Sequence, residues 1–214
     1  MSLLFMDTET SGFPSPKTLA TIVQFSYVVY NVEKGIVDEV VDHIITQPKG
    51  FVIPESAKNI HGITDEICVS NGVSLFPLLD TFIEKTFTCT YVVGHNIQFD
   101  LNMIITAFVH LQRKAEERHQ EDVLVYIRQQ LAIINNLIIP KARCTMKLGT
   151  SFCAIPRASP MNGRRIGENV YKYPKLSELY EKIFGVIPPN LHNSLEDVYA
   201  CMACYNYMES IGIL

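Results

Sequence analysis

The apolar positions near the N-terminus predict three successive β-strands. Residues 3–6 form an unbroken apolar run, which is typical of a strand buried on both faces of a sheet. Residues 20–30 and 36–46 are rich in β-branched and aromatic side chains and predict the second and third strands. Only residues 31–35 separate those two runs, so we expect a hairpin with antiparallel pairing after the first strand.

Most of the remaining chain is predicted to be helical. Four long segments are assigned to helices: residues 74–87, 98–111, 116–138 and 194–210. Two short helices are expected at 54–59 and 175–184, and a short buried strand at 89–93. Between residues 140 and 174 the pattern weakens, which predicts an irregular segment. We therefore expect one α/β domain over residues 1–214, with helices packed on the faces of a single sheet.

Composition excludes some classes of protein. The 214 residues carry a formal net charge of −4, whereas a protein that coats nucleic acid would be basic. No apolar run approaches the roughly 20 residues of a membrane span, and no secretory signal opens the chain. The six cysteines are scattered, which predicts a reducing, intracellular compartment, either cytoplasm or nucleus. Residues 141–182 hold nine of the 18 lysines and arginines, so this segment either binds a polyanion or is simply solvated.

Two carboxylates follow the first buried strand. Side chains two apart on a strand share a face, so Asp7 and Glu9 lie side by side next to apolar surface. Two carboxylates about 4 Å apart repel by roughly 4 kcal/mol at an effective dielectric constant near 20. A divalent cation held by oxygen ligands would offset that repulsion. The alternative is that Asp7 begins a turn and Glu9 is solvated.

Three further polar residues complete the pattern. Asp100 falls in the first turn of a helix after the predicted strand at 89–93, where it either joins the first pair or only favours the helix dipole. Asp197 adjoins the apolar stripe of the last helix, which is costly for an acid without a compensating partner. His192 precedes that helix on a loop introduced by prolines, and it is either a site residue or a surface histidine.

These residues together resemble the DEDDh family of 3′-to-5′ exonucleases, which have a ribonuclease H-like fold. Residues 7–13, 94–100 and 192–197 resemble its three motifs, with the histidine-type spacing in the third. Residues 59–64 and 173–180 resemble two further segments of the family. The resemblance covers nearly the whole chain and implies a ribonuclease H-like mixed α/β sheet, in which parallel strands are added to three N-terminal strands and helices cover both faces.

The resemblance also implies a reaction and a cofactor. Asp7, Glu9 and Asp197 would hold two Mg²⁺ ions, with Mn²⁺ able to substitute, and Asp100 would help through a water molecule. His192 would take the proton from the attacking water. The reaction would hydrolyse phosphodiester bonds at a 3′ end and release nucleoside 5′-monophosphates.

The same resemblance suggests how a 3′ end is held. Thr10 would contact the terminal nucleotide, His61 and Phe13 would flank its sugar and base, and Phe99 would lie against the next base. Stacking of bases on aromatic side chains tolerates any sequence and is worth roughly 1–3 kcal/mol per base. The basic segment at 141–182 would contact phosphates further along the strand.

Several alternatives stay open at this point. The preferred substrate is DNA, single-stranded or frayed, but an RNA-trimming enzyme would carry the same five catalytic residues. A non-catalytic module bound to nucleic acid or a polymerase is a second class, and a repair partner or a homodimer is compatible with either. Cys201 and Cys204 have zinc-like C-x2-C spacing, although both fall in an apolar helical stripe. The segments 112–138 and 157–171 are less typical of the family and leave substrate range and partners open.

Overall fold

Five strands form one mixed sheet in the computed structural model, which describes residues 1–14, 20–157 and 171–213. The strands are β1 (Ser2–Thr10), β2 (Ile22–Asn31), β3 (Ile36–Ile44), β4 (Tyr91–Gly94) and β5 (Ala142–Cys144). Their order in the sheet is β3-β2-β1-β4-β5, with β1 in the centre. β2 pairs antiparallel with both β1 and β3, whereas β4 pairs parallel with β1 and β5 parallel with β4. The predicted fold class, three N-terminal strands followed by parallel additions, is confirmed.

All six predicted helices occur with longer or shifted ends, and the described residues also contain four short helices that the sequence pattern did not predict. They are α1 (Glu55–His61), α2 (Asp65–Asn71), α3 (Leu75–Thr88), α4 (Ile97–Glu117), α5 (Glu121–Ile133), α6 (Ile139–Lys141), α7 (Thr145–Leu148), α8 (Thr150–Cys153), α9 (Leu176–Phe184) and α10 (Ser194–Ser210). A π-helical turn, Ile134–Ile138, joins α5 to α6. α4 runs six residues past its predicted end, because its polar last turns still bury Ala115 and bond Gln112 to Glu116.

The expectation of an irregular segment over residues 140–174 was wrong in its first part. β5 begins there as the outermost parallel strand, and α7 and α8 follow it directly. A strand of three residues is too short to show any hydrophobic period, so the sequence pattern gave no sign of it. Arg143 in β5 lies over the ring of Tyr91 in β4, 3.9 Å from its centroid. The arginine-rich part of the predicted basic segment, residues 158–170 with Arg164 and Arg165, lies outside the described residues.

One helical stretch has the length and mean hydropathy of a membrane span, although polar residues interrupt its apolar runs. Residues Glu121–Lys141 are continuously helical for 21 residues, and their most apolar 18-residue window has a mean hydropathy of 1.3. By length and composition alone this helix is long enough to cross a membrane. It also buries Ile127, Ile134 and Ile138 completely against the protein core. A single helix of this kind is weak support for a membrane span, since core helices have the same composition.

Two apolar layers cover the sheet and explain the unbroken apolar run of β1. Leu4 and Met6 face one layer, which α3, α4 and α5 supply with side chains such as Phe82 and Phe108. Leu3 and Phe5 face the other layer, which α10 supplies with side chains such as Val198, Cys201 and Tyr205. Because both faces of β1 are buried, its alternating positions are all apolar until Asp7. The carboxyl end of β1 therefore meets the start of α10 on one face of the sheet.

Candidate active site

Asp7 and Glu9 end the central strand on the face that α10 covers. Asp7 lies opposite Ser26 of β2, and Glu9 lies opposite Gln24. Both acids lie on the same face of β1 as Leu3 and Phe5, which pack against α10. Neither carboxylate is exposed, so the two lie side by side at the edge of a buried layer, as the sequence predicted.

Asp100 is bound to the same strand from the other side of the sheet. It lies in the first turn of α4 and is only 2% exposed. Its Oδ1 accepts hydrogen bonds from the Thr8 backbone N–H at 3.1 Å and from the Thr8 hydroxyl at 2.7 Å. These bonds fix α4 against β1 and place Asp100 beside Asp7. A favourable position on the helix dipole alone would not require such contacts with β1.

Asp197 and His192 enter the site from the start of α10. Asn193 caps this helix, because its Oδ1 accepts from the backbone N–H groups of Leu195 and Glu196 at 3.2 and 3.4 Å. His192 has a left-handed backbone with φ of 72°, and its N–H donates to Asp197 Oδ2 at 3.3 Å. Potential ligand atoms of His192, Asp197 and Glu9 all lie within 4.8 Å of one another.

Burial is the main cause that raises the pKa values of the four carboxyl groups, and neighbouring acids add to it. Burial raises the pKa of Asp7 well above its ordinary value, and Asp100, Asp197 and Glu9 raise it further. Burial also raises the pKa of Glu9 to about 8, that of Asp100 to about 7 and that of Asp197 to about 6. Without a cation, charges in this cluster are costly, because neighbouring like charges and burial both oppose ionisation.

The donor set of this cluster fits a hard divalent cation. Asp197 Oδ1 is buried and has no hydrogen-bond partner among the described residues. A buried carboxylate oxygen without a partner costs free energy that a bound cation would recover. The carboxylates offer only oxygen atoms, which are the ligands that Mg²⁺ and Mn²⁺ prefer.

The raised pKa values predict how the stability of the metal-free protein depends on pH. Glu9, Asp100 and Asp197 have higher pKa values in the folded protein than in the unfolded chain, near 4. Their contribution to stability is therefore fully present below about pH 4 and is lost as the pH rises through 6 to 8. We expect the melting temperature in EDTA to fall between pH 5 and pH 8, and Mg²⁺ to reduce or reverse that fall. Thermal unfolding at both pH values checks this, and a metal-free melting temperature that rises with pH would contradict it.

The side chains predicted to hold a 3′ end lie around this cluster. Phe13 is 80% exposed and packs edge-to-face on Phe99, with ring centroids 5.4 Å apart. Phe99 directly precedes Asp100 in the first turn of α4, so the aromatic pair lies on the segment that carries this carboxylate. Burial lowers the pKa of His61, and the nearby His192 lowers it further, which places these two histidines close together. The Thr10 hydroxyl donates to the Gly12 carbonyl at 3.2 Å and so shapes the loop between the strand and Phe13.

His95 is a buried histidine whose structural role the sequence did not indicate. Its Nε2 lies 3.0 Å from the Pro174 carbonyl oxygen, which can only accept, so Nε2 carries the proton. Its Nδ1 lies 3.0 Å from the Thr145 hydroxyl and accepts from it. Burial lowers the pKa of His95 to about 4, which keeps the ring neutral. His95 thereby connects the turn after β4 to residues 173–180, a long-range contact that no local pattern could reveal.

The cysteines do not support the zinc interpretation. Cys201 and Cys204 are buried among apolar side chains of α10, and burial raises the pKa of both thiols. Across the described ranges, the side chains grouped closely enough to hold a metal ion are Glu9, His192 and Asp197, without a cysteine.

Comparison with solved structures identifies the fold, whereas no family model and no curated sequence matches the chain. E. coli exonuclease I in complex with a dT13 oligonucleotide superposes with a TM-score of 0.64 at 18% identity, over 98% of this chain and 41% of that one. A 3′-exonuclease that recognises the 3′ end of a histone mRNA stem-loop gives 0.62 at 13% identity, over 99% and 64%. A full-length 3′-exonuclease gives 0.59 at 11% identity, over 99% and 61%.

This chain spans less than two thirds of each of these structures. At such identities the likeness establishes architecture, and the sequence-based resemblance to exonucleases is confirmed at that level. The chain therefore has the mixed α/β fold of these exonuclease structures, which is the fold that the sequence resemblance implied.

Proposed function

We propose that the protein is a metal-dependent 3′-to-5′ exonuclease that hydrolyses DNA from single-stranded or frayed 3′ ends. The observation that carries this proposal is that ligand atoms of Glu9, His192 and Asp197 lie within 4.8 Å of one another, with Asp7 and Asp100 near enough for their charges to act on this group. None of the five catalytic residues predicted from the sequence is missing, which favours an enzyme over a non-catalytic binding module. The products would be nucleoside 5′-monophosphates.

Asp7, Glu9 and Asp197 are the residues that would hold Mg²⁺, and Asp100 would assist them through water. Two divalent ions bound there would neutralise phosphate charge and stabilise the leaving oxygen. Asp197 combines two tasks in this proposal, because its Oδ2 accepts from the His192 backbone while its Oδ1 has no partner in the described part of the chain. The partnerless Oδ1 is therefore available to a cation.

His192 would accept the proton of the attacking water. Imidazole is the side chain best suited to proton transfer near neutral pH. His192 is exposed and lies on a loop with a left-handed backbone, so its ring can reach both solvent and the carboxylates. His192 lies close to Glu9 and Asp197. It would therefore lie next to the metal ions that bind the scissile phosphate in this proposal.

Phe13 and Phe99 would supply the surface on which terminal bases stack. Phe13 is 80% exposed beside Phe99, so much of its ring is open to a stacking base. Stacking on an aromatic ring does not depend on which base is present, which suits an enzyme that must accept every sequence. Thr10 and His61 would contact the terminal nucleotide, and the buried Nε2 of His61 lacks a partner among the described residues.

RNA trimming is the second candidate, and a specific observation favours keeping it. One structural neighbour recognises a histone mRNA stem-loop, whereas another is bound to a dT13 oligonucleotide. The fold therefore serves both nucleic acids in other proteins. We also propose that the protein binds a polymerase or repair partner, or a second copy of itself.

Matched substrates decide between DNA and RNA. We expect a 5′-labelled single-stranded DNA, incubated with Mg²⁺, to shorten stepwise from its 3′ end, and the RNA of the same sequence to shorten more slowly. Denaturing gels give the ladders, and chromatography identifies the released 5′-monophosphates. EDTA and the Asp7→Asn variant control for contaminating nucleases. If RNA alone shortens, the DNA assignment is wrong; if neither shortens, the nuclease proposal fails.

A further inference from the structure

A row of polar side chains crosses the sheet behind the candidate site. In the strand register, Ser26 of β2 lies opposite both Asp7 of β1 and Asp42 of β3. Asp42 is on the outer strand of the sheet and is exposed, whereas Ser26 is fully buried. The row therefore runs from solvent at the sheet edge to the carboxylate cluster at its centre.

Hydrogen bonds connect this row to the first residue of α10. Asp42 Oδ1 accepts from Gln24 Nε2 at 2.8 Å and from the Ser26 hydroxyl at 2.7 Å. The Ser194 backbone N–H donates to Gln24 Oε1 at 3.2 Å, and the hydroxyls of Ser194 and Ser26 are hydrogen-bonded to each other. Gln24 is 3% exposed and Ser194 is fully buried, so water does not compete for most of these bonds.

The acceptor at Asp42 fixes the direction of every bond in the network. Because Asp42 Oδ1 accepts from the Gln24 amide nitrogen, Gln24 must turn its oxygen toward the Ser194 N–H. Because Ser26 gives its one hydroxyl proton to Asp42, it can only accept from the Ser194 hydroxyl. Without an acceptor at position 42, the Gln24 amide is free to flip and present an N–H group to the Ser194 N–H.

We propose that Asp42 is a positioning residue that holds the first turn of α10, and with it His192 and Asp197, at the carboxylate cluster. Ser194 lies two residues after His192 and three before Asp197, so its two bonds fix the segment that carries both side chains. The His192 N–H bond to Asp197 stabilises the same turn. This inference rests on the proposed nuclease function for its catalytic consequence, but the network itself does not.

Three variants test the role of the acceptor. Asp42→Ala removes it, Asp42→Asn retains an acceptor oxygen without the charge, and Asp38→Ala is the matched control. Asp38 is an exposed acid on the same strand whose hydrogen bond, 3.2 Å from Asn31, stays within the hairpin. Since both positions are exposed, we expect all three variants to fold.

The first measurement is amide hydrogen exchange at Ser194 by NMR, on protein without metal or substrate. We expect exchange in Asp42→Ala to be about fivefold faster or more than in wild type, because the buried Gln24 amide and Ser26 hydroxyl lose the acceptor that orients them toward Ser194. Asp42→Asn and Asp38→Ala should exchange at the wild-type rate. An unchanged Ser194 rate in Asp42→Ala overturns the network, whether or not the protein is a nuclease.

The second measurement is single-strand digestion with Mg²⁺. We expect Asp42→Ala to lower kcat about three- to tenfold with an unchanged KM, Asp42→Asn to restore it, and Asp38→Ala to match wild type. Equal kcat values for Asp42→Ala and Asp38→Ala overturn the positioning role. A wild-type protein without activity contradicts the proposed function instead, and the exchange comparison still decides the network.

Discussion

Asp7→Asn is expected to abolish nuclease activity and at the same time to stabilise the metal-free protein. Asp7 is the carboxylate whose pKa three neighbouring acids raise, on top of burial, so its charge is the most strongly opposed in the cluster. Replacing the charge by an amide of the same size relieves that repulsion. We expect the metal-free free energy of unfolding to rise by about 1–2 kcal/mol, or about 2–8 °C in melting temperature.

Asp38→Asn is the control for this experiment. It removes a charge from an exposed aspartate that lies in the β2–β3 hairpin and outside the carboxylate cluster. It should change neither activity nor the metal-free melting temperature. Calorimetry or circular dichroism in EDTA at pH 8 gives the comparison. A metal-free melting temperature that falls in Asp7→Asn would contradict the picture of crowded carboxylates, and retained activity would contradict the role of Asp7.

His192→Ala is expected to lower kcat by roughly 10²–10⁴-fold while leaving metal binding in place. The oxygen donors are carboxylates, and the variant removes only the ring that would accept the proton from water. Stopped-time digestion gives kcat, and titration calorimetry with Mn²⁺ gives the affinity for metal. Unchanged turnover would remove His192 from the role of general base, and lost metal binding would make it a ligand instead.

His119→Ala offers a matched control for the His192 experiment. Both histidines are exposed and both have left-handed backbones, with φ of 54° at His119 and 72° at His192. Alanine at either position therefore meets a similar backbone strain. Because His119 lies in the link between α4 and α5, its replacement should leave turnover unchanged.

Local patterns were enough to predict the elements that position the site. The apolar run of β1 depends on neighbours within a few residues, and it occurs as expected. β5 was missed because three residues show no period, and its strand pairing depends on β4, 50 residues earlier. α2 was missed because it follows the Gly62 stop of α1 after only two residues.

The residues of the candidate site could be proposed from the sequence, but the hydrogen bonds that join them could not. Asp7 and Glu9 are adjacent on one strand, so their proximity follows from strand geometry alone. The bonds that fix Asp100 to Thr8 and Ser194 to Gln24 join residues 92 and 170 positions apart. Such contacts depend on how helices pack on the sheet, and polar residues within apolar strands do not reveal their partners in a single sequence.

The central claim is that Asp7, Glu9, Asp100 and Asp197 converge to bind divalent metal. Its most direct test is a crystal of the protein grown with Mn²⁺, in which anomalous scattering locates the ion without reference to activity. We predict a strong anomalous peak in contact with Asp7, Glu9 and Asp197, and none at this place in Asp7→Asn. A wild-type map without a peak among these carboxylates, at saturating Mn²⁺, would contradict the claim.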